Sequence, residues 1–264
     1  MRAGLEASRG EWVLFSDADV HLAPGTLARV LAWAEREQAD HVSIIPSFHT
    51  SGPGAALALT SFFRQFSTLG LPWRAADPKS RVFFGIGAFN LVRRRALAAS
   101  PGLAWLKLEI ADDSALGLML KRSGAAQRVL VGRESVSLEF YPSVRALCVA
   151  LEKNGATAPL PLLLCAGLAL TALELGWLAL VWVAPWPAAL VALECLLTQW
   201  LAASWLGLAR WPALLPAPGV LVLVGAIWRS GALALVRGGV RWRNTFYPTE
   251  VLRAGARLGP SARR

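Results

Sequence analysis

Two aspartates one residue apart, Asp17 and Asp19, follow directly on the apolar run Trp12–Phe15. In an extended strand, residues i and i+2 point to the same face, so both carboxylates can converge on one cation at the carboxyl end of the strand. Carboxylate oxygens are ligands that suit Mg²⁺ and Mn²⁺. The spacing therefore predicts a divalent metal site for a phosphorylated substrate. The alternative is a solvated turn ahead of the helix that Pro24 and Gly25 open.

Two other segments contain residue types that suit sugar chemistry. The two glycines of the segment FGIGAFNL at 84–91 allow the backbone to approach a ligand closely, although an ordinary turn is the alternative. Asn90 in this segment can both donate to and accept from hydroxyl groups. Asp112 and Asp113 precede a predicted helix over 114–122. Neighbouring carboxylates repel each other, which favours proton uptake by one of them, although helix capping is the alternative.

Taken in this order, the segments resemble the core of family-2 inverting glycosyltransferases of the GT-A type. The matching stretches are GEWVLFSDAD at 10–19, FGIGAFNL at 84–91 and DDSALG at 112–117. The resemblance implies that Asp17 and Asp19 bind Mg²⁺ or Mn²⁺, which holds the diphosphate of a nucleotide-sugar, and that Asp113 is the catalytic base. It also implies a substrate-binding role for Gly87, Ala88, Asn90 and Asp112.

The fold that the resemblance implies is α/β: a partial, Rossmann-like GT-A domain followed by C-terminal transmembrane helices. The segment 139–145 lacks the Gln-x-x-Arg-Trp motif of processive members, and 239–248 is similar to a tail segment of lipid-modifying relatives, with Asn244 in place of Gly. In both respects the chain resembles ceramide glucosyltransferase-like and hopanoid- or carotenoid-associated enzymes. The expected reaction is sugar transfer to a hydroxyl or carboxyl group of a membrane lipid.

In the resembling family, further strands and nucleotide contacts precede the Asp-x-Asp strand. This sequence begins just ahead of that strand, so we expect a chain that lacks the N-terminal portion of its domain. One alternative function is therefore a catalytically inactive membrane remnant that acts as a scaffold or assembly partner. Another is a nucleotidyltransferase that uses the same metal chemistry.

Composition places the protein at a membrane. The chain is 55% hydrophobic and has 12 tryptophans among 264 residues, which is unusual for a soluble domain. Charges interrupt every segment up to about residue 154, and long uncharged stretches follow. We expect a catalytic portion over 1–154, a membrane domain with two or three apolar helices over 155–236, and a basic cytoplasmic tail over 237–264. Stretches long enough to cross a hydrocarbon core of about 30 Å are 160–183, 188–208 and 214–236.

Charges within these stretches need partners, because a charge at mid-bilayer costs roughly 2.5–3.5 kcal/mol. We expect Glu174, Glu194 and Arg229 to face one another or a polar groove rather than lipid, and an ion pair between Arg229 and either glutamate would offset part of that cost. Basic residues flank both the first and the third stretch, so the positive-inside rule places both flanks in the cytoplasm. Three full crossings would separate them. Either one stretch does not cross, for which the third stretch with Arg229 and three prolines near its start is the best candidate, or the tail goes against the rule.

The net charge of +10 is distributed mainly around the apolar stretches, which favours anionic lipid over nucleic acid as a partner. The expected location is the cell (inner) membrane, with several passes and a cytoplasmic catalytic portion. The segment 55–69 is predicted to be either an amphipathic helix on the membrane surface or a packing helix. Cysteines and histidines are too scattered to form a metal site and are expected to be free thiols and ordinary polar residues.

Overall fold

The computed structural model describes residues 2–156, 158–242 and 245–258, so Asn244 of the tail motif lies outside the described residues. The chain divides into two units. Residues Met1–His49 and Leu69–Glu139 form the first, here called the sheet unit, and Thr50–Thr68 and Phe140–Arg264 form the second, here called the helical unit. Sequence composition suggested a change at residue 154, whereas the segments 50–68 and 140–154 fold with the apolar helices.

Seven short strands form the sheets of the described sheet unit. They are β1 (Trp12–Phe15), β2 (Val20–Leu22), β3 (His41–Ile45), β4 (Ser47–His49), β5 (Asn90–Arg93), β6 (Gln127–Val131) and β7 (Val136–Glu139). The helices up to residue 122 are α1 (Arg2–Ala7), α2 (Thr26–Arg36), α3 (Pro53–Gly70), α4 (Arg94–Ala98) and α5 (Asp112–Arg122). Short 3-10 turns cover Pro72–Ala76, Leu103–Leu106 and Arg133–Ser135.

The strands form two mixed sheets. In the first, the order is β1-β5-β3-β6; β5 is antiparallel to both β1 and β3, and β3 is parallel to β6. In the second, the order is β2-β7-β4, with β7 antiparallel to β2 and parallel to β4. All five residues of β3 are buried, as expected of a central strand that is paired on both edges. The predicted α/β class is confirmed.

Helix α2 covers one face of the first sheet. Val30 and Ala34 are buried and lie one turn apart, so they present one apolar stripe to the sheet. They belong to a buried cluster with Val42, Ile44 and Phe89, which come from β3 and from the residue just before β5. This core fixes the start of β5 and therefore the position of the loop that precedes it.

A buried arginine holds β1, β5 and α2 together at the opposite end of β5. The Arg93 guanidinium donates to Glu11 at 2.5 Å and to Glu35 at 2.6 Å, and it lies 4.3 Å from the centre of the Trp12 ring. The hydrogen bond from Arg93 lowers the pKa of Glu35 below its usual value, and a second hydrogen bond, from the Trp12 indole, acts in the same direction. The Arg93–Glu35 ion pair therefore stays formed to mildly acidic pH.

The helical unit contains the long apolar helices. Its remaining elements are α6 (Val144–Ala150), a 3-10 turn at Leu151–Ala156, α7 (Leu160–Leu180), α8 (Pro185–Leu206), a 3-10 turn at Trp211–Leu214, α9 (Pro216–Arg237), the antiparallel hairpin of β8 (Gly239–Trp242) and β9 (Thr245–Pro248), and α10 (Thr249–Gly255). Within the described residues, α7, α8 and α9 are the helices long and apolar enough to cross a membrane. Mixed α/β sheets followed by such helices are the architecture that the sequence predicted.

Helices α7 and α9 pack against each other in antiparallel directions. The Trp228 indole N–H donates to the Leu163 carbonyl at 3.2 Å, while Gly231, further along α9, faces Leu160 and Leu163 near the start of α7. A Cβ at Gly167 would lie 2.2 Å from the Trp228 indole nitrogen, so this glycine permits the close approach. The start of α7 therefore lies beside the end of α9.

This direction changes the expected topology. If α7 and α9 both cross a bilayer, α9 begins on the side where α7 ends, so α8 must begin and end on that same side. The structure therefore favours α8, and not the expected third stretch, as the helix that does not cross. The basic flanks before α7 and after α9 then share one side, as the positive-inside rule requires.

The buried charges of the helical unit have partners other than those expected. Arg64 on α3 pairs with Glu174 on α7, and its other guanidinium nitrogen lies 3.3 Å from Glu194 on α8. The side chains of Arg64 and Glu174 are only 5% and 2% exposed. Arg229 pairs instead with Glu152, at 2.8 Å. The expected Arg229–glutamate pair within the spans is therefore wrong, and α3 is a packing helix of this unit.

Candidate active site

The Asp17–Asp19 pair lies in the connection between β1 and β2, and both residues are exposed. β1 ends at Phe15, so the rule that residues i and i+2 share a face of a strand does not apply to this pair. The backbone positions Asp17 instead. Its N–H donates to the Gly87 carbonyl at 2.9 Å, and the Ser16 hydroxyl donates to the Ala88 carbonyl at 2.9 Å.

Gly87 brings Asp17 and Asp113 to one place. Its backbone N–H donates to Oδ2 of Asp113 at 2.8 Å. A Cβ built on Gly87 would lie 2.6 Å from Oδ2 of Asp17 and 3.4 Å from Oδ2 of Asp113. The carboxylates of two predicted site residues, distant in sequence, therefore border the same small space, which only glycine leaves open.

The first turn of α5 fixes the orientation of Asp113. The Ser114 N–H donates to Oδ1 of Asp113 at 2.7 Å, and the Asp113 N–H donates to Oδ1 of Asp112 at 3.1 Å. Both oxygens of the Asp113 carboxylate thus accept backbone hydrogen bonds at the N-terminal end of a helix, which favours a negative charge there. Asp112 accepts a hydrogen bond within this turn, next to the predicted base Asp113.

The backbone of the loop Phe84–Gly87 lies directly on α5. A Cβ at Gly85 would lie 1.8 Å from the Asp113 carbonyl oxygen, and a Cβ at Gly117 would lie 2.2 Å from the Phe84 carbonyl oxygen. Gly117 therefore permits the close contact between the loop and α5, whereas the sequence indicated it only as the last residue of the motif DDSALG. A glycine inside a helix costs about 1 kcal/mol relative to alanine, and that cost is the sequence signal that could have identified it.

Asn90 and Ala88 lie on the inner side of this loop. Asn90 is 1% exposed, and its Oδ1 accepts from the Ile86 N–H at 3.1 Å and from the Ser43 hydroxyl at 2.8 Å. Ala88 is 4% exposed. The structure thus gives Asn90 a loop-positioning role, and it does not favour the direct sugar contact that the resemblance implied for either side chain.

A buried polar chain connects the loop to α5 through the sheet. His41 Nε2 lies 3.0 Å from Asn90 Oδ1, and His41 Nδ1 lies 3.0 Å from the amide nitrogen of Gln127. The same Gln127 nitrogen donates to the Gly117 carbonyl at 2.5 Å. Since an amide NH₂ only donates, Nδ1 of His41 is the acceptor, and we assign the ring proton to Nε2.

The two central members of this chain, His41 and Gln127, were not predicted as site residues. Both are buried and lie inside apolar strands, where a polar residue resembles an ordinary strand residue. Burial lowers the pKa of His41 from 6.5 to about 4, although the hydrogen bond to Asn90 opposes this shift. The imidazole is therefore neutral at physiological pH, as a ring that both donates and accepts must be.

The donor set available to a divalent ion at this site is two exposed carboxylates, those of Asp17 and Asp19. Among the residues that the structure describes, no group of three or more His, Cys, Asp or Glu side chains is placed to hold a metal ion. Mg²⁺ typically uses one or two protein carboxylates and completes its octahedron with water and substrate phosphates. The carboxylate of Asp17 borders the space kept open at Gly87, and Asp19 is exposed two residues further along the same connection.

Comparison with known families covers the part of the chain that contains this site. Residues 1–139 match the family model described as Glycosyl transferase family 21. The matched range is more than half of the 264 residues and ends at the last residue of β7. No curated protein matches the chain in sequence. Every candidate site residue named above lies within the matched range.

Proposed function

Because the chain belongs to glycosyl transferase family 21, we propose that it transfers a sugar from a nucleotide-sugar to a hydroxyl or carboxyl group of a membrane lipid, with inversion at the anomeric carbon. Membership in this family makes the protein a transferase of sugars. The observation that carries the finer proposal is the convergence of Asp17 and Asp113 on Gly87. It supports a GT-A type site in which Asp17 lies on the side of the nucleotide-sugar donor, here called the donor end, and Asp113 lies on the side of the catalytic base.

Asp113 is the proposed catalytic base. Its two carboxylate oxygens are oriented by the backbone N–H groups of Gly87 and Ser114, so the side chain is held in one position before substrate binds. In that position it removes the proton of the acceptor group as the acceptor oxygen attacks the anomeric carbon. A single displacement from the face opposite the leaving group inverts the configuration.

Asp17 and Asp19 form the proposed donor end. They would hold Mg²⁺ or Mn²⁺, and a bound divalent ion offsets the negative charge that develops on a departing nucleoside diphosphate. The chain's own contribution is positional: the hydrogen bond from the Asp17 N–H to the Gly87 carbonyl fixes the distance between donor end and base. The missing side chain of Gly87 leaves room for the reacting groups between them.

A lipid acceptor is supported by the helical unit. The helices α7, α8 and α9 make the protein a membrane protein by length and composition, so a lipid acceptor is at hand wherever the enzyme resides. We further infer the cell (inner) membrane, with the basic flanks of α7 and α9 and the catalytic part on the cytoplasmic side, from the positive-inside rule.

The test is transfer of label into lipid. Membranes that carry the chain are incubated with radiolabelled nucleotide-sugars and Mn²⁺, and the lipid extract is counted. We expect label with one donor, none with Asp17→Ala, and none with Asp113→Asn, although the last variant should still bind the donor. Asp77→Asn is the matched control, since this carboxylate lies in an exposed turn and its amide preserves the acceptor for the Lys79 N–H.

Two results would contradict the proposal. Full labelling by Asp113→Asn would exclude this residue as the base. Label that appears only in water-soluble product, with none in the lipid extract, would exclude the lipid acceptor while leaving glycosyl transfer intact.

A further inference from the structure

A cluster of charged residues lies where α7 begins and α9 ends. Glu152, in the turn before α7, accepts from Arg229 and Arg237 of α9, each at 2.8 Å. Next to it, the Lys153 ammonium lies 4.2 Å from the centre of the Trp242 ring on β8. The chain segments before α7 and after α9 thus meet through charged side chains, here called the basic end.

The basic end contains a cavity of about 470 Å³. Its lining residues are Glu152, Arg237, Arg241 and Phe246. Two guanidinium groups and one carboxylate therefore face this space, and Arg229 stands behind the carboxylate. A guanidinium has five N–H donors, so the ion pair with Glu152 uses only part of the capacity of Arg237, and the remaining donors suit a ligand with several oxygens.

Internal pairing leaves an excess of positive charge at this site. Burial by itself would raise the pKa of Glu152, but the hydrogen bonds from Arg237 and Arg229 outweigh it and lower that pKa below its usual value. Glu152 is thus ionised and offsets one positive charge. The cations that line the cavity are Arg237 and Arg241, and Arg229 adds a third positive charge on the other oxygen of Glu152. One carboxylate against three guanidinium groups leaves an excess of positive charge, which attracts an anion.

The surroundings of the cavity distinguish a lipid from a solute. Leu235 and Val236, in the last turn of α9, are 67% and 83% exposed. Trp242 and Phe246 of the hairpin are also exposed. Large apolar side chains next to arginines, at the end of a helix long enough to span a bilayer, are typical of the boundary between hydrocarbon and head groups.

We propose that the basic end binds the phosphate of an anionic phospholipid, with Arg237 and Arg241 as the phosphate ligands. The acyl chains of the lipid lie along the exposed apolar residues of the last turn of α9. This site belongs to the helical unit alone and is independent of the proposed sugar transfer.

The experiment compares two phospholipids and one free anion. The full chain in detergent micelles is titrated with phosphatidylglycerol, with phosphatidylcholine or with inorganic phosphate, and native mass spectrometry measures the bound fraction. An arginine near a lipid surface contributes about 1 kcal/mol, so Arg241→Gln should weaken phosphatidylglycerol binding about fivefold. Arg237→Gln combined with Arg241→Gln should weaken it about 25-fold.

Arg210→Gln is the matched control. Arg210 also lies at a helix end of the same unit and over a tryptophan, with its guanidinium carbon 5.6 Å from the Trp200 ring centre. Its removal lowers the net charge equally and should leave phosphatidylglycerol binding unchanged. Arg241 is exposed, and no ion pair of Arg241 is present among the described residues, so Arg241→Gln tests the site even if the double variant unfolds.

The outcomes separate the sources of the phosphate. Selective loss of phosphatidylglycerol in the Arg241 variants, with unchanged phosphatidylcholine, supports the proposal. Equal losses in Arg210→Gln and Arg241→Gln would reduce it to a general effect of net charge and overturn it. Binding of inorganic phosphate without retention of phosphatidylglycerol would overturn the lipid assignment.

Discussion

The backbone N–H of Gly87 donates a 2.8 Å hydrogen bond to Oδ2 of Asp113. The carbonyl of the same residue accepts from the Asp17 N–H at 2.9 Å. One residue therefore positions both acids of the candidate site, Asp17 after β1 and Asp113 in the first turn of α5. Geometry at Gly87 is expected to matter more for catalysis than for folding.

Replacement of Gly87 by alanine tests this expectation. The added Cβ would lie 2.6 Å from Oδ2 of Asp17, so Asp17 must move. A displacement of about 1 Å in an active site costs about 100-fold in rate, and we expect a loss of that order in sugar transfer with an unchanged melting temperature. Gly4→Ala is the control, because its Cβ meets nothing within 4 Å. Normal activity of Gly87→Ala would show that the space is not used.

His41 predicts how stability depends on pH. Its pKa is about 4 in the folded chain and 6.5 when unfolded, so the unfolded state binds a proton first as the pH falls. The stabilising contribution is complete above pH 6.5 and is lost as the pH falls toward 4, in total on the order of 3 kcal/mol. Urea unfolding of the purified chain between pH 7 and pH 4.5 should show this decline.

The His41→Gln variant separates this effect from that of carboxylates. Glutamine cannot take up the proton, so the decline above pH 4.5 should flatten in the variant. Glu35, whose pKa is lowered from 4.5 by its hydrogen bond with Arg93, contributes stability that is lost only below pH 4.5. An identical slope in both proteins would assign the decline to other groups.

Arg64 and Glu174 predict a double-mutant result. Arg64→Leu leaves the buried Glu174 without its cation, which costs about 3–5 kcal/mol, so the melting temperature in detergent should fall sharply. Arg64→Leu with Glu174→Leu removes both charges and should recover most of that loss. A double variant that is less stable than Arg64→Leu would indicate that the pair itself stabilises the bundle.

The antiparallel packing of α7 and α9 predicts a labelling pattern in which α8 does not cross the membrane. In a variant without Cys148, Cys165 and Cys195, single cysteines at Val183 and Ala209 lie just before and just after α8, and both positions are exposed. An impermeant maleimide should reach both from the same side of sealed vesicles. A cysteine at Glu250, beyond α9, should react from the opposite side. Labelling of Val183→Cys and Ala209→Cys from opposite sides would restore a full crossing for α8.

Order along the chain was the most informative sequence feature for the site. Asp17 and Asp113 were predicted from motifs in sequence, and the structure brings them to one glycine. Strand alternation, which predicted that Asp17 and Asp19 converge, does not position Asp17. β1 ends before this residue, and a backbone hydrogen bond to Gly87 holds it instead. Sequence spacing indicated which residues matter and could not supply how they are held.

Long-range polar contacts could not be predicted. Arg64 and Glu174 are 110 positions apart. The sequence around Arg64 is equally consistent with an amphipathic helix on the membrane surface and with a packing helix. His41 and Gln127 are 86 positions apart and look like ordinary members of apolar strands. Pairing of this kind depends on tertiary structure, which single-chain periodicity does not encode.

The close approach of Gly85 and Gly117 has a consequence for redesign. Because the two backbones are in direct contact, the loop Phe84–Gly87 and the first turns of α5 are expected to move together. A variant in which that loop is lengthened or repacked would therefore also displace Asp113, the proposed base. Under the proposed function, a change in acceptor choice at this loop would also change proton transfer at Asp113.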